Sequence, residues 1–454
     1  MPQSGMAVTS RPARERPLIA FFDYPDVFED FYPKYGIDQH QFATRFTAAG
    51  NHAFLTLLQR EVGDVIWYSF SLKPEIDEAR HQVVGCRVRI LPSSWLHRLM
   101  WNAFYMPSAS WRWRRFYPAY ATAASYVSLV SWPFLSALRK DRPDFFFVQD
   151  YATGRFDVLL AIARALGVPL VAYHTGSSPD IYLGRFAKHW SIRRAECLIA
   201  SGRHELDRLE KDFGVPPSRV KVILTPIDIV MYRPIDRSAA CTTAALDPER
   251  RYVVYVGRLD DRIKRVSALI RAFTKASVTH ADVDLVIVGD GPDKKELRAQ
   301  AETTAPGRVR FLGWIADACR LSALYNAAEC LALPSWSEGF PTVVGEAMAC
   351  GTPVLASRVG GVSELVVADR TGWLFEPGDD DALTSRLAFV LAHPGQVRAM
   401  RPAARQIAEE RVSPDRVSAE LKACFSSARP AQRGQEIAET ISTRRTLSAR
   451  RFSE

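Results

Sequence analysis

Cysteine is sparse and unpatterned. Seven occur in 454 residues, at positions 86, 197, 241, 319, 330, 350 and 424, with no Cys-x-x-Cys spacing. The missing spacing excludes a zinc ribbon or finger. The odd, scattered set points to buried thiols in a reducing compartment rather than to a disulfide framework. The opening MPQSGMAVTSRPARERP lacks the apolar core of a secretory signal. No uninterrupted apolar run reads as a membrane span. The nearest is 118–138, PAYATAASYVSLVSWPFLSAL, which is long enough but broken by tyrosines, serines and internal prolines. A helix packed inside the protein is expected there. Neither sign of charge dominates: 59 basic against 50 acidic residues leave a net +9. That excess suits an anionic ligand or membrane surface without requiring either. No short-period repeat is visible.

What the sequence does contain is alternation of element types. A chain of 454 residues is too long for one ordinary core, and 47% apolar with 24% charged residues describes a globular protein. Short β-rich apolar runs recur at 18–24, 64–70, 86–91, 145–150, 168–174, 196–201 and 220–225. After a gap they resume at 252–257, 285–290, 309–313, 329–334 and 352–357. Continuous apolar runs, rather than strict alternation, indicate strands covered on both faces, as in a parallel sheet between helix layers. Helical stretches such as 261–276 supply the crossovers. The polar, small-residue stretch 232–250 breaks the pattern, so two doubly wound α/β domains with a cleft between them are expected. Ligands in such sheets sit beyond the carboxyl ends of the strands. The last stretch, 426–454, carries six arginines and little apolar content, and reads as a disordered basic tail.

Three segments carry chemistry. In VGRLDDRIKR (256–265), Arg258 follows a buried strand and a turn glycine, and Lys264 lies at a helix start. The pair can clamp one anion such as a diphosphate through charge-assisted hydrogen bonds, or form a solvated basic helix start. In VGDGP (288–292), Gly289 and Gly291 permit either close approach of a ligand or an ordinary strand-to-helix turn. The most specific segment is SWSEGFPTVVGEAMACGTPVLAS (335–357), which places Glu338 and Glu346 on either side of a Gly-Phe-Pro turn. Pro341 suits a first helical turn, and free amides around Phe340, Thr342 and Val344 favour an anion. A carboxylate accepts from two vicinal hydroxyls at once. The stretch therefore reads as hydroxyl clamp, phosphate cradle, hydroxyl clamp.

GRLDDRIK, GDGP, LGW, PSWSEGFPTVVGEAMACGTPV, GGVSELV and TGWLFEPGD resemble, in order, the C-terminal motifs of the retaining glycosyltransferases of family 4. The resemblance implies a GT-B fold, two Rossmann-like domains facing across a cleft. It divides the chain into a disordered 1–16, an acceptor-side domain 17–235, a linker 236–250, a nucleotide-sugar domain 251–410 and a helix 411–425 crossing back. It implies that Arg258 and Lys264 bind the donor diphosphate, Glu346 the ribose and Glu338 the donor sugar, with no metal and no cofactor beyond the nucleotide-sugar itself. Arg265 stands where the family often has glycine. Asp282-Val283-Asp284 matches the Asp-x-Asp pattern of metal-dependent sugar transfer, but precedes a buried strand in a domain of the wrong type. No metal site is assigned to it.

The N-terminal half is similar to the family more loosely. YGIDQHQFATRF (35–46) resembles its Gly-rich loop, with Tyr35-Gly36 in place of two glycines, and Gly36 joins the donor set. VQDYATGRF (148–156) resembles a segment that often holds a histidine; Gln149 occupies that place, followed by Asp150. YHTGSS (173–178) brings His174, either as a partial substitute or as a structural strand-end histidine. Thr225 stands where the family tends to have asparagine. The catalytic set implied is Glu338, Asp150 and His174. The resemblance implies retention without a protein nucleophile: the acceptor hydroxyl attacks from the face the diphosphate leaves, and a phosphate oxygen takes its proton. The competing expectations are a sugar-nucleotide epimerase and an inactive scaffold module. The expected acceptor is a saccharide or lipid-linked molecule of the cell envelope. The stretch 93–120 holds four of the ten tryptophans and four arginines, and suits either an anionic membrane surface or an internal cover. The expected location is cytoplasmic, peripheral on the inner membrane face if the stretch is a membrane contact and free of it if the stretch is an internal cover. No recognition module accompanies the charge, so nucleic acid is not an expected partner.

Overall fold

The apolar runs become the strands of two sheets in a computed structural model describing residues 15–23, 25–33, 36–46, 49–104, 117–174 and 185–428. The N-terminal sheet contains β1 (Leu18–Phe22), β2 (Asp64–Ser71), β3 (Glu78–Arg80), β4 (Arg87–Pro92), β5 (Phe145–Gln149), β6 (Leu170–Tyr173), β7 (Cys197–Ala200) and β8 (Val220–Val222). Its order is β3-β4-β2-β1-β5-β6-β7-β8, and only β3 runs antiparallel to its neighbour. The C-terminal sheet contains β9 (Arg251–Val256), β10 (Val283–Val288), β11 (Val309–Gly313), β12 (Cys330–Leu333), β13 (Val354–Ser357) and β14 (Gly372–Phe375). Its order is β11-β10-β9-β12-β13-β14, with every pair parallel. Strand order therefore reverses between β1 and β5 in one sheet and between β9 and β12 in the other. A crevice opens at the carboxyl ends of the strands at each reversal.

Burial on both faces explains the unbroken apolar runs. In β5 every residue is buried; Phe146 and Val148 face one core, Phe145 and Phe147 the other. That second core is closed by the last helix of the described residues, Pro414–Ser427, which returns to the N-terminal sheet from the other domain. Val417, Leu421, Cys424 and Phe425 recur at helical spacing on its inner face. Phe425 packs edge-on to Phe145 at 5.0 Å and stacks on Phe147 at 6.1 Å. The amide of Ile227 donates to the carbonyl of Val412 (2.8 Å) within the C-terminal core, and the amide of Arg203 donates to Glu364 (2.7 Å), tying the domains together.

Several features depart from expectation. Cys197 on β7 and Cys424 on the returning helix form a disulfide across 227 residues, where two buried thiols were expected. The apolar stretch 118–138 forms two helices, Tyr117–Val127 and Trp132–Asp141, bent by 50° at their junction. Among the described residues no single helix is long and apolar enough to cross a membrane. Phe134 and Leu138 enter the core, while Trp132 is exposed. Trp111, Arg112, Trp113 and Arg114, the centre of the expected membrane contact, lie outside the described residues, as does the tail from 429.

Replacing Phe425 with alanine removes a buried ring that closes the N-terminal core. It should lower stability by about 3–5 kcal/mol. Replacing Lys422, which forms an exposed pair with Glu61 on the outer face of the same helix, should cost less than about 1 kcal/mol. Urea unfolding of the two variants measures the difference.

Candidate active site

The loop after β9 and the loop after β12 flank the reversal in the C-terminal sheet. The first is set by backbone contacts with the neighbouring loop after β10. Gly257 donates to the carbonyl of Val288 (3.0 Å), Leu259 to that of Asp290 (2.9 Å), and Asp293 to that of Leu259 (3.1 Å). This close zippering explains Gly289 and Gly291. A β-carbon at Gly289 would sit 1.8 Å from the carbonyl oxygen of Gly257, and one at Gly291 would sit 2.3 Å from that of Leu259. These two glycines pack against the loop carrying Arg258 and Lys264, and neither lines the cavity of about 300 Å³ that contains Lys264 and Glu338. The Tyr255 hydroxyl donates to the Arg258 carbonyl (2.9 Å), fixing the turn, while the Arg258 side chain stays exposed with no recorded partner among the described residues.

Lys264 ends a short helix, Asp261–Lys264, and Arg265 follows with φ +52°, in the left-handed region that favours glycine. Arg265 is held there by an ion pair to Asp380 and by stacking over Trp336 at 4.7 Å. The turn leaves Lys264 facing the loop after β12. Its Nζ donates to both carboxylate oxygens of Glu338 (2.7 and 2.7 Å), and the Ser335 hydroxyl donates to Oε1 (2.6 Å). Glu338 is thus oriented from two sides.

The helix Thr342–Ala349 begins immediately beyond. Pro341 stands at its N-cap, one position earlier than a first-turn proline, and no side chain caps the helix. Its first free amides and positive dipole end therefore face the cavity. That cavity, about 300 Å³, is lined from the C-terminal domain by Gly257, Lys264, Glu338 and residues 340–343, and from the N-terminal domain by Tyr173 and Thr225. Glu346, one turn into the helix, is 5% exposed. It accepts from the Tyr325 hydroxyl (2.8 Å), and it lies behind the cavity lining. Burial pushes its carboxyl up, against the opposing hydrogen bonds of Tyr325 and Thr342.

The N-terminal candidates meet one another instead. Asp150, at φ +71°, accepts from the amide of Ala152 (2.9 Å) and from His174 Nδ1 (3.0 Å). The short-range bond stabilises its left-handed backbone. His174 is buried, packs 5.0 Å from the Tyr151 ring, and its Nε2 has no recorded partner among the described residues. Neither Asp150 nor His174 lines the 300 Å³ cavity with Glu338. Gly36 occupies a left-handed turn with open space where a side chain would stand; Tyr35 lies outside the described residues. Asp282 pairs with Arg251, and the fully buried Asp284 with Arg250 and Arg310, so both acids of the Asp-x-Asp pattern are neutralised by arginine.

Comparison with known proteins assigns both domains. Residues 52–230 match the model of Glycosyltransferase Family 4, and residues 242–407 that of Glycosyl transferases group 1. The chain belongs to the family 4 glycosyltransferases. Among curated relatives, the D-inositol 3-phosphate glycosyltransferase of Rhodococcus opacus is 31% identical over 263 residues, 54% of this chain and 58% of the relative. That of Gordonia bronchialis is 33% identical over 271 residues, again 54% and 58%. The matched region spans somewhat over half the length of these relatives. Solved structures establish the fold as GT-B. Sucrose-phosphate synthase from Thermosynechococcus elongatus superposes with a TM-score of 0.67 at 21% identity, covering 90% of this chain and 98% of the other. Anabaena HepE in complex with UDP-glucose superposes at 0.63 and 19% identity, covering 91% and 100%.

Two contacts of this family 4 site join segments that the sequence shows only separately. Tyr173 and Thr225 share a hydrogen bond (2.9 Å) and form the N-terminal wall of the cavity. In sequence, Thr225 is a departure from the family pattern, and nothing near it encodes the contact with Tyr173. Gly360 packs so closely that a β-carbon there would lie 2.0 Å from the carbonyl of Glu338, so it holds the Glu338 loop in place.

The raised pKa of Glu346 has a definite sign for stability. The folded state holds that proton more tightly than the unfolded state, so the cost of burying the ionised carboxylate appears as pH rises through its folded pKa. Above the ordinary glutamate range, the wild type should lose stability relative to Glu346→Gln. Below it, the gap should close. Thermal unfolding of both proteins across acid to neutral pH measures the effect.

Proposed function

We propose that the protein transfers a sugar from a nucleoside-diphosphate sugar to an acceptor hydroxyl with retention of anomeric configuration. The observation that carries this reading is the Lys264–Glu338 ion pair at the mouth of an uncapped helix, beside an exposed Arg258. One cavity wall thus offers cationic and amide donors for a diphosphate and, in contact with Lys264, a fixed carboxylate for hydroxyls. HepE was solved with UDP-glucose, which supports the donor class. Arg258, Lys264 and the helix amides would stabilise the leaving diphosphate electrostatically, the task a metal performs elsewhere, and the reading therefore requires none. Glu338 would hold the sugar, its charge opposing the cation that develops at the anomeric carbon. The acceptor would attack on the face the diphosphate leaves, giving its proton to a phosphate oxygen.

For the acceptor, the names of the curated relatives support a polyol such as an inositol phosphate. A cell-envelope saccharide or lipid-linked acceptor is the broader class. The exposed Trp95 and Leu99, within the tryptophan- and arginine-rich stretch 93–120, and the exposed Trp132 support work at a membrane face; a cytoplasmic location is part of the same proposal.

Arg258→Ala and Lys264→Ala should each reduce turnover of the preferred nucleotide-sugar by more than they reduce its binding, because charge grows on the leaving group. The anomeric configuration of the product, followed by proton NMR from the first turnovers, should match that of the donor. Wild-type turnover in both variants would reduce the segment to a solvated helix start, and an inverted product would exclude the mechanism.

A further inference from the structure

The N-terminal domain carries a second cavity, of about 590 Å³, lined by Arg164, His189, Trp190, Arg193, Arg194 and Arg219. Its place in the fold separates it from the donor cleft. Arg164 lies in the last turn of the helix Gly154–Leu166, which leads into β6; Arg193 and Arg194 follow the helix Arg185–Ile192, which leads into β7; Arg219 directly precedes β8. All four arginines therefore stand at the amino-terminal edge of three adjacent parallel strands. The cleft, with Tyr173 and Thr225, lies at the opposite edge.

Arginine at a helix carboxyl end is ordinarily explained by the helix dipole. Two of the four are partly used that way: Arg219 donates to the carbonyl of Arg193 (2.8 Å), and Arg194 to that of Trp190 (3.3 Å) while covering the Trp190 ring at 4.8 Å. These bonds consume one donor each of five. None of the four arginines has an acidic partner among the described residues, although other arginines in the same domain do, such as Arg89 with Glu78 and Arg208 with Glu205. Four like charges around one concavity repel one another unless an anion joins them, and guanidinium forks match phosphate oxygens. Trp190, 42% exposed, supplies a flat apolar wall beside them, and Phe186 is exposed one helical turn earlier.

We propose that this cavity is a binding site for a phosphate group, separate from the donor cleft. The phosphate is carried either by a soluble phosphorylated compound or by a phospholipid headgroup, with Trp190 packing against whatever bears it. The test compares the full-length wild type with Arg164→Gln/Arg193→Gln, two exposed positions whose neutralisation leaves the core intact. One arm titrates inorganic pyrophosphate calorimetrically; any binding in the donor cleft is common to both proteins and cancels. The other arm measures co-sedimentation with vesicles of phosphatidylcholine, with and without phosphatidylglycerol. The wild type should bind at least one probe, salt-sensitively, and the variant should lose it by roughly tenfold or more. Arg164→Lys/Arg193→Lys, which keeps charge but not the fork, should fall between them. Loss confined to pyrophosphate identifies a soluble ligand, and loss confined to anionic vesicles identifies a headgroup. If neither probe binds, or both bind wild type and glutamine variant alike, the cavity is not a phosphate site.

Discussion

The Lys264–Glu338 ion pair is the contact on which the site depends. Its carboxylate side chain is 8% exposed and its ammonium side chain 22%, so the charges attract through a medium well below the dielectric of water. Loss of one partner would leave the other partly buried and uncompensated, which costs more than loss of both. The pair joins two loops, one after β9 and the other after β12, on either side of the point where strand order reverses; the Trp336 amide donating to the Ile263 carbonyl (2.8 Å) and Arg265 stacked over Trp336 hold the same two loops in register. Held together, they present a cation and a carboxylate on one wall, already oriented before any ligand arrives. That preorganisation is what electrostatic catalysis requires, since dipoles that must rotate during reaction give back much of their benefit.

Backbone packing holds the pair from behind. The loop after β9 is zipped to the loop after β10 at distances that only Gly289 and Gly291 permit, and the Glu338 loop is backed in the same way by Gly360. Side chains at these glycines would strike carbonyl oxygens rather than a ligand. Their chemistry is therefore exerted at one remove, by fixing where Arg258, Lys264 and Glu338 stand. At larger scale the returning helix plays a comparable part. It begins in the C-terminal domain and buries Val417, Leu421 and Phe425 against the N-terminal sheet, so the two walls of the cleft are linked by a core element as well as by a linker.

Much of this was legible in the sequence because buried parallel strands have one dominant signal. Among the described residues, twelve of the fourteen strands appear as short apolar runs. The other two are β3, whose Glu-Ala-Arg is charged with both charged residues exposed, and β14, whose four residues read only as part of a family motif. The carboxylate–turn–helix–carboxylate order of 335–357 was equally legible, because spacing along one loop and one helix start fixes it. What was not legible depends on distant partners. The Lys264–Glu338 pair joins residues 74 apart, and the Cys197–Cys424 bridge joins residues 227 apart. The pairing of Asp150 with His174 draws two candidate catalytic groups toward each other, a contact that no pattern within either strand encodes. Glycine motifs are ambiguous for a similar reason: the sequence does not reveal whether a ligand or a neighbouring carbonyl occupies the space.

The two glutamates offer the most direct test of the proposed site. Glu338, fixed by Lys264 and Ser335 at the cavity wall, is assigned to the sugar; Glu346, behind the helix start with Tyr325, is assigned to the ribose. Calorimetric binding of a nucleoside diphosphate and of its sugar ester to Glu338→Ala and Glu346→Ala separates these roles, once thermal unfolding shows both variants folded. Glu346→Ala should weaken both ligands by about 1.5–3 kcal/mol, roughly ten- to a hundredfold in affinity. Glu338→Ala should weaken only the sugar ester. Equal loss of the free nucleoside diphosphate in both variants would contradict the division of labour and, with it, the proposed placement of the donor.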